Sequence, residues 1–158
     1  MNRCTSDDEF LTILISICSL CNGGGRMLWG KLYDKFNFKQ VYGFLLTLQL
    51  ALASSIYYVS TTESLFIVWS CLSLFCGGGH FALFPALCLK EAGVADGTRI
   101  YPFIYLAFSF SNFIQFGVVL FGKSHLGWNG IFFIYVGLTI LAGILMLFFK
   151  EKPKMTKN

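Results

Sequence analysis

Charged residues are scarce in this sequence. Only 13% of its 158 residues are Asp, Glu, Lys or Arg, whereas 56% are hydrophobic. Soluble domains carry roughly a quarter of their residues as charges, and here the few charges are confined to short stretches between or beside long apolar runs. The composition therefore excludes an ordinary soluble domain and is typical of a membrane protein.

Features of several other protein classes are also missing. The stretch Met1–Glu9 is net acidic, whereas a cleavable signal peptide begins with a basic segment, so none is predicted. The formal net charge of +4 comes mostly from lysines between or after apolar runs, and this argues against a nucleic-acid partner. No linker longer than about ten residues is present, so no further module is expected.

Catalytic and metal-binding arrangements are absent as well. The apolar runs contain no paired carboxylates, metal-ligand cluster or serine–histidine arrangement, so the chain is not expected to be an enzyme. Cys18 and Cys21 have C-x-x-C spacing, but no second pair or soluble histidine completes four ligands. We therefore expect packing cysteines, no metal site and no cofactor.

Five apolar stretches are near the length of about 20 residues that crosses about 30 Å of hydrocarbon. Only helices or closed barrels satisfy their backbone groups in lipid, and continuous apolar runs do not alternate as barrel strands do. The sequence therefore predicts an all-α, polytopic membrane helix bundle with about five transmembrane helices. The predicted helices are Phe10 to Gly30, Val41 to Val59, Ser64 to Leu89, Ile100 to Phe121, and Trp128 to Phe149.

The basic residues predict how the bundle is oriented. Most of them lie in the first predicted loop, the third predicted loop and the tail 150–158, whereas the opposite face has only Arg3 and Lys123. Lysine and arginine accumulate in cytoplasmic loops. The basic tail is therefore expected in the cytoplasm, and the short stretch 1–9 on the non-cytoplasmic side.

Arg26 is the main candidate for a functional side chain, because an arginine within an apolar run is costly and usually marks a function. Its planar, permanently charged guanidinium can hold a carboxylate. Asn22 lies one helical turn earlier and should share its face. In an alternative interpretation, Arg26 lies about one turn from the helix end at Gly30 and extends to the membrane surface.

Two runs of three glycines fall in the first and third predicted helices. Small residues allow neighbouring membrane helices to approach closely, and glycine also tolerates unusual backbone angles. The runs therefore predict tight packing, a flexible ligand-facing segment, or both. They comprise Gly23, Gly24, Gly25, Gly77, Gly78 and Gly79. Pro85 is expected to kink the third helix and free the carbonyl of Phe81.

Polar side chains mark the third and fourth predicted helices. His80 in the third could carry a proton near neutral pH, or it could be a hydrogen-bonded packing residue. The fourth has a polar stripe suited to lining a cavity or to bonding neighbouring helices. The stripe comprises Tyr105, Ser109, Ser111, Asn112 and Gln115.

Three motifs resemble those of a known family. The stretch GKLYDKFNFK from Gly30 to Lys39 is similar to the G-x-L-x-D-[RK]-x-G-[RK]-[RK] loop signature of the major facilitator superfamily. The preceding NGGGR resembles the eighth helix of its oxalate:formate antiporter and monocarboxylate transporter relatives, and GGGHFALFPA resembles their tenth helix. Asn37 replaces a glycine of the loop signature, and Phe38 replaces a basic residue.

The resemblance implies that the five spans correspond to helices eight to twelve of a twelve-helix transporter. It implies alternating-access transport of a small organic anion along a path between two halves, the first of which is not in this sequence. The expected partners are the lipid bilayer, the anion, and either the missing N-terminal half of the same carrier or another membrane protein. The candidate substrate-binding residues are Arg26, Asn22, His80, Asn112 and Gln115.

The loop signature implies a gate. Its members here are Gly30, Asp34, Lys35 and Lys39. In the family the acidic residue braces a helix end of the opposite half, which is missing from this sequence. By itself, Asp34 could also cap the following helix or pair with Lys31 or Lys35 at the surface.

A monocarboxylate is the expected substrate. Oxalate-type antiporters share a lysine within the membrane in this helix, and the fourth predicted helix here lacks one. The resemblance therefore favours a monoanion over a dicarboxylate. Asn22 stands where proton-coupled monocarboxylate relatives have an aspartate, which disfavours proton coupling there. The alternative hypothesis is a truncated, non-transporting membrane protein that associates with or regulates a full-length carrier through its glycine-rich faces.

Overall fold

The computed structural model describes residues 8–59 and 62–150. They form three helical stretches in chain order, α1 (Asp8–Lys35), α2 (Phe38–Val59) and α3 (Glu63–Phe148). No strand occurs among these described residues. The predicted all-α class is therefore confirmed, as expected for apolar runs that must satisfy their backbone groups internally.

α3 is interrupted, because its backbone leaves helical geometry at two glycines. Gly93 has φ 81° and ψ 173°, and Gly127 has φ 63° and ψ −178°. A positive φ is accessible to glycine without the steric cost that other residues bear, so the chain can change direction at both positions. We call the resulting segments α3a (63–92), α3b (94–126) and α3c (128–148).

Proline does not break these segments. Pro85 lies inside α3a and Pro102 inside α3b, and the non-helical dihedrals of α3 are at the two glycines instead. The helix is interrupted at Gly93, where no side chain restricts φ, and the kink expected at Pro85 stays a prediction.

Three helical segments among the described residues are long and apolar enough to cross a membrane, judged by length and composition. They are Asp8–Lys35, Glu63–Trp128 and Gly130–Phe148. The second contains both α3a and α3b. α2 is not in that set, but its 22 residues correspond to about 33 Å at 1.5 Å per residue.

A hydrophobic core holds α1, α2 and α3a together. It lies where α1 ends and α2 begins, and Trp29 and Tyr33 of α1 are each only 1% exposed there. The complete buried cluster is Trp29, Tyr33, Phe38, Val41, Leu45, Leu83 and Leu87. α3a is central to the bundle, because it packs against α1 and α2 here and against α3b through the Phe81 and Phe108 rings.

α3c returns to pack against α2. The Lys39 Nζ atom donates to the Leu147 carbonyl over 2.9 Å, and the Phe38 and Phe149 rings meet edge-on at 5.8 Å. A cation at the carbonyl end of a helix also interacts favourably with the helix dipole. α3c is thus joined to the start of α2 at this end of the bundle.

α1 and α3a approach closely enough that two glycines are required. A Cβ atom on Gly25 would lie 2.7 Å from the main-chain oxygen of Phe75, and one on Gly78 would collide with the main-chain oxygen of Asn22. A backbone oxygen cannot move aside as a flexible side chain can. These glycines therefore set how near the two helix axes come to each other.

The other predicted packing glycines divide into two kinds. A Cβ atom on Gly79 would collide with Leu45 and lie 2.9 Å from Trp29 Cδ1, so Gly79 makes room for the core. A Cβ on Gly77 would meet Asn22 Nδ2 at an ordinary 3.6 Å. Gly23 and Gly24 have nothing within 4 Å, so close packing does not require either one.

The helix ends differ from the prediction. α1 continues past Gly30 to Lys35 because Tyr33 is buried in the core, and only Phe36 and Asn37 connect it to α2. The predicted third loop, 90–99, is helical except for the break at Gly93. Residues 1–7, 60–61 and 151–158 lie outside the described residues, so the N-terminal stretch, the turn near Ser60 and the tail remain predictions.

Candidate functional site

Arg26 lies on the exposed surface of α1, and its side chain is held by two neutral neighbours. Its Nε atom donates to the Oδ1 atom of Asn22 over 3.3 Å. Its guanidinium carbon lies 4.8 Å from the centre of the Phe81 ring on α3a. The guanidinium therefore lies between α1 and α3a, bonded to one helix and packed on a ring of the other.

Asn22 has a second role in this arrangement. Its Nδ2 atom donates to the carbonyl of Leu74 on α3a over 2.9 Å, so one amide group bonds to α3a and to Arg26 at the same time. The absent side chain at Gly78 leaves space for this contact, because a Cβ there would also lie 3.4 Å from Arg26 Cγ. The predicted shared face of Asn22 and Arg26 is observed as a direct hydrogen bond.

No carboxylate pairs with Arg26 among residues 8–59 and 62–150. The guanidinium has five N–H donors, and the protein contacts described above use one of them and one ring face. A permanent cation in a membrane helix usually has a charged partner or a functional role. The geometry leaves Arg26 able to receive an anion with two parallel hydrogen bonds.

A cleft of about 250 Å³ lies between α3a and α3b. Phe81 forms part of the wall, and its ring also makes the cation–π contact with the Arg26 guanidinium. His80 and Ser111 line the same cleft. The structure therefore brings Arg26, Asn22 and His80 into one region, together with the Gly77–Gly79 run.

His80 belongs to a polar chain that the sequence did not reveal. Its Nε2 atom lies 2.9 Å from Gln49 Oε1 on α2, and Gln49 Nε2 donates to the hydroxyl of Tyr135 on α3c. His80 also packs edge-on against Tyr42 at 5.5 Å. His80 thus has a hydrogen-bond partner and ring contacts within the protein, and its role in substrate binding stays a prediction.

Asn112 and Gln115 lie apart from Arg26. Gln115 lines a second cleft of about 370 Å³ between α3b and α3c, whose wall also includes Tyr135. Ser111 borders both clefts. Asn112 is exposed and lines neither of these two clefts, so the structure gives no contact that supports it as a site residue.

The residues of the predicted gating loop lie at the end of α1 and the start of α2. Asp34 forms an ion pair with Lys90 of α3a at 3.5 Å. Lys90 also donates to the Tyr33 carbonyl over 3.2 Å, and its Nζ lies 3.6 Å from the centre of the Tyr33 ring. Asp34 thus links the end of α1 to α3a within this chain, and its role in a gate stays a prediction.

The remaining loop residues have less constrained surroundings. Lys39 is bonded to Leu147, as described above. Lys35 is exposed in the last turn of α1. A Cβ on Gly30 would have nothing within 4 Å, so packing within the described residues does not require glycine there.

A family model for the Major Facilitator Superfamily matches residues 5–158. The chain belongs to the major facilitator superfamily. This confirms the resemblance carried by the loop signature and the two glycine-rich helices. It also establishes an integral, multi-pass membrane protein.

The oxalate:formate antiporter of Oxalobacter formigenes is a relative of this superfamily member. The two are 31% identical over 142 residues, which make up 87% of this chain and 33% of the antiporter. The chain thus spans about a third of the length of the curated relative that it matches.

Proposed function

We propose that this chain is part of a major facilitator carrier that moves a small organic anion, and specifically a monocarboxylate, across a membrane. Arg26 is the residue that anchors the carboxylate. The observation that supports this function most directly is an arginine with no carboxylate partner among the described residues, set beside a cleft and oriented by Asn22.

The preference for a monoanion follows from the distribution of positive charge. The other lysines and arginines that the structure describes lie near helix ends or breaks, as Lys90, Arg99 and Lys123 do. None of the other lysines and arginines that the structure describes lines the cleft, so a second carboxylate bound inside it would have no cation in the lining. Burying an unpaired carboxylate is costly, so a single carboxylate fits this half of the site best.

The mechanism that we propose is alternating access between two halves. The exposed side of Arg26 then faces an N-terminal half that this sequence does not contain, and the anion binds between them. The pair of Asp34 and Lys90 stabilises the end of the bundle where α1 meets α3a. By the distribution of lysines, this end and the tail 150–158 are cytoplasmic.

Equilibrium binding of radiolabelled monocarboxylates to the purified full chain tests the anion site. Formate, acetate and lactate serve as probes, with wild type, Arg26→Ala and Arg99→Ala compared in the same detergent. Arg99 is a matched control, because it is exposed and lies 3.9 Å from Asp96 near Gly93.

Loss of Arg26 should weaken binding of whichever probe binds by roughly ten- to a hundredfold, as expected for a charge-assisted contact. The Arg99→Ala variant should bind within about twofold of wild type, because an exposed pair contributes little. Equal binding by wild type and Arg26→Ala for every anion tested would rule out the proposed anchor.

A further inference from the structure

We propose that the anion at Arg26 is an aromatic monocarboxylate, with the carboxylate on the guanidinium and the ring in the cleft between α3a and α3b. This inference rests on the proposed function and narrows its substrate class. Benzoate and phenylacetate are the simplest members of the class.

The walls of the cleft are mainly aromatic. Six ring-bearing side chains line it, three from each of the two helical segments. They are His80, Phe81, Phe84, Tyr101, Tyr105 and Phe108. Aromatic side chains present both ring faces and edges to a bound ring, and such offset or edge-to-face pairs are more favourable than contact with an aliphatic group of similar size.

The rings are already tilted relative to each other. Phe81 and Phe108 meet at 5.0 Å with an interplanar angle of 73°, and Phe81 and Tyr105 meet at 5.9 Å and 51°. Tyr105 and Phe108 are 6.1 Å apart at 42°. A flat ring entering this cleft can therefore pack its face against one side chain and its edge against another.

Phe81 connects the charged and apolar parts of the site. The Arg26 guanidinium lies over the Phe81 ring, and the same side chain forms part of the cleft wall. A ligand whose carboxylate is bonded directly to an aromatic ring, or through one carbon, keeps its charge and its ring close together, as Arg26 and the cleft wall are on either part of Phe81. A longer aliphatic acid would reach the cleft but would not present a ring face to its walls.

Two polar groups of the cleft already have hydrogen-bond partners within the protein. The Ser111 hydroxyl donates to the Phe108 carbonyl over 2.7 Å, and His80 Nε2 bonds to Gln49. A polar ligand group placed beside either of them would have to replace an existing hydrogen bond, which is unfavourable. An apolar ring has no such requirement.

The size of the cleft also distinguishes between monocarboxylates. Its volume of about 250 Å³ is large for formate or acetate, which would leave apolar wall exposed. Removing the apolar surface of a ring from water should strengthen binding by about tenfold or more relative to acetate.

Fluorine NMR of 4-fluorobenzoate with the purified full chain in detergent tests this inference. Line broadening reports binding, and unlabelled benzoate, cyclohexanecarboxylate, acetate and oxalate are added as competitors. 4-Fluorobenzyl alcohol carries the same ring without charge and measures partition into the micelle. The Arg26→Ala variant identifies the part of the signal that depends on the anion anchor.

We expect Arg26-dependent binding of 4-fluorobenzoate, with benzoate competing at least about tenfold better than acetate and about threefold better than cyclohexanecarboxylate. If radiolabelled acetate or formate binds in an Arg26-dependent manner as tightly as benzoate, the aromatic preference is wrong, but the proposed monocarboxylate site at Arg26 is supported. If no monocarboxylate binds in an Arg26-dependent manner, both proposals are wrong.

Two cleft variants test the location of the ring. Phe108→Leu and Tyr105→Leu should each weaken benzoate binding several-fold and leave acetate binding within about twofold of wild type. Phe110→Leu is the matched control, because Phe110 is also an exposed aromatic residue of α3b but does not line the cleft. Unchanged benzoate binding in both folded cleft variants would place the ring elsewhere and overturn the inference.

Discussion

Arg26 and Lys90 are both cations on membrane helices, but their surroundings assign them different roles. Lys90 has an acidic partner in Asp34, a carbonyl acceptor and an aromatic ring, all at the end of α1. Arg26 has a neutral amide and a ring. Lys90 is therefore committed to holding two helices together, whereas Arg26 keeps the capacity to bind an external anion.

Gly78→Ala should destabilise the protein, because the added methyl group would collide with the main-chain oxygen of Asn22. We expect a loss of about 1–3 kcal/mol, which is typical of overpacking at a tight contact. Thermal unfolding of the purified chain, followed by circular dichroism, measures the effect.

Gly24→Ala is the matched control for that variant, because a Cβ atom there has nothing within 4 Å. Alanine is also a better helix former than glycine by up to about 1 kcal/mol. The control should therefore unfold at the same temperature as wild type or higher. A Gly78→Ala protein as stable as Gly24→Ala would show that α1 and α3a are not as close as described.

Some features of the site could be predicted from the sequence at this scale, and others could not. Asn22 and Arg26 are one helical turn apart, so their shared face follows from helix periodicity alone. Gln49 and Tyr135 are far apart in the chain and meet only because α3c packs against α2. Local periodicity carries no information about such a long-range contact.

At the scale of the element, glycine conformation decides where α3 turns. Gly93→Ala should destabilise the protein by roughly 1–2 kcal/mol, because its φ of 81° lies in the left-handed region that alanine occupies only with strain. Gly117→Ala is the control, since Gly117 lies within helical α3b and a Cβ there has nothing within 4 Å.

Thermal unfolding of these two variants also checks the position of the break. A Gly93→Ala protein with the stability of Gly117→Ala would indicate that Gly93 does not adopt a left-handed conformation. The chain would then have to turn elsewhere between α3a and α3b.

The ion pair between Asp34 and Lys90 should make a small contribution to stability. Lys90 and Asp34 have 41% and 77% of their side-chain surface exposed, so solvent screens their attraction. A double-mutant cycle with Asp34→Asn and Lys90→Gln should give a coupling free energy below about 1 kcal/mol. The coupling should decrease as salt concentration rises, and a larger, salt-independent value would contradict a solvent-exposed pair.

The sequence predicted helical elements well but not their ends. Long apolar runs identify helices because lipid offers the backbone no alternative partner. The polar loop signature suggested that α1 ends near Gly30, yet Tyr33 is buried against α2 and α3a, and the helix continues to Lys35. Tertiary burial of one residue thus outweighed the local polarity that had suggested a loop.

At the scale of the whole molecule, the lysine distribution predicts the orientation of the bundle. An antibody against Lys150–Asn158 should bind intact cells only after the membrane is permeabilised, because basic tails are retained in the cytoplasm. An antibody against a tag added before Met1 should show the opposite pattern. Binding of the tail antibody to unpermeabilised cells would reverse the proposed orientation.

The chain alone should not transport. An alternating-access carrier needs two halves that rock around one site, and this chain aligns with about a third of the antiporter that it resembles. Proteoliposomes containing only this chain should show no saturable uptake of radiolabelled monocarboxylates above protein-free vesicles. Saturable uptake that Arg26→Ala abolishes would mean that these helices form a complete pathway, for example by self-association.

The central claim is that the planar guanidinium of Arg26 anchors a carboxylate, and one binding series tests it most directly. The affinity of a single labelled monocarboxylate is measured for wild type, Arg26→Lys and Arg26→Ala. We predict that affinity falls roughly tenfold for Arg26→Lys, because lysine keeps the charge but cannot form two parallel hydrogen bonds to the carboxylate. Arg26→Ala should lower the affinity severalfold further or more, because it also removes the charge. Equal affinities for all three proteins would contradict the claim.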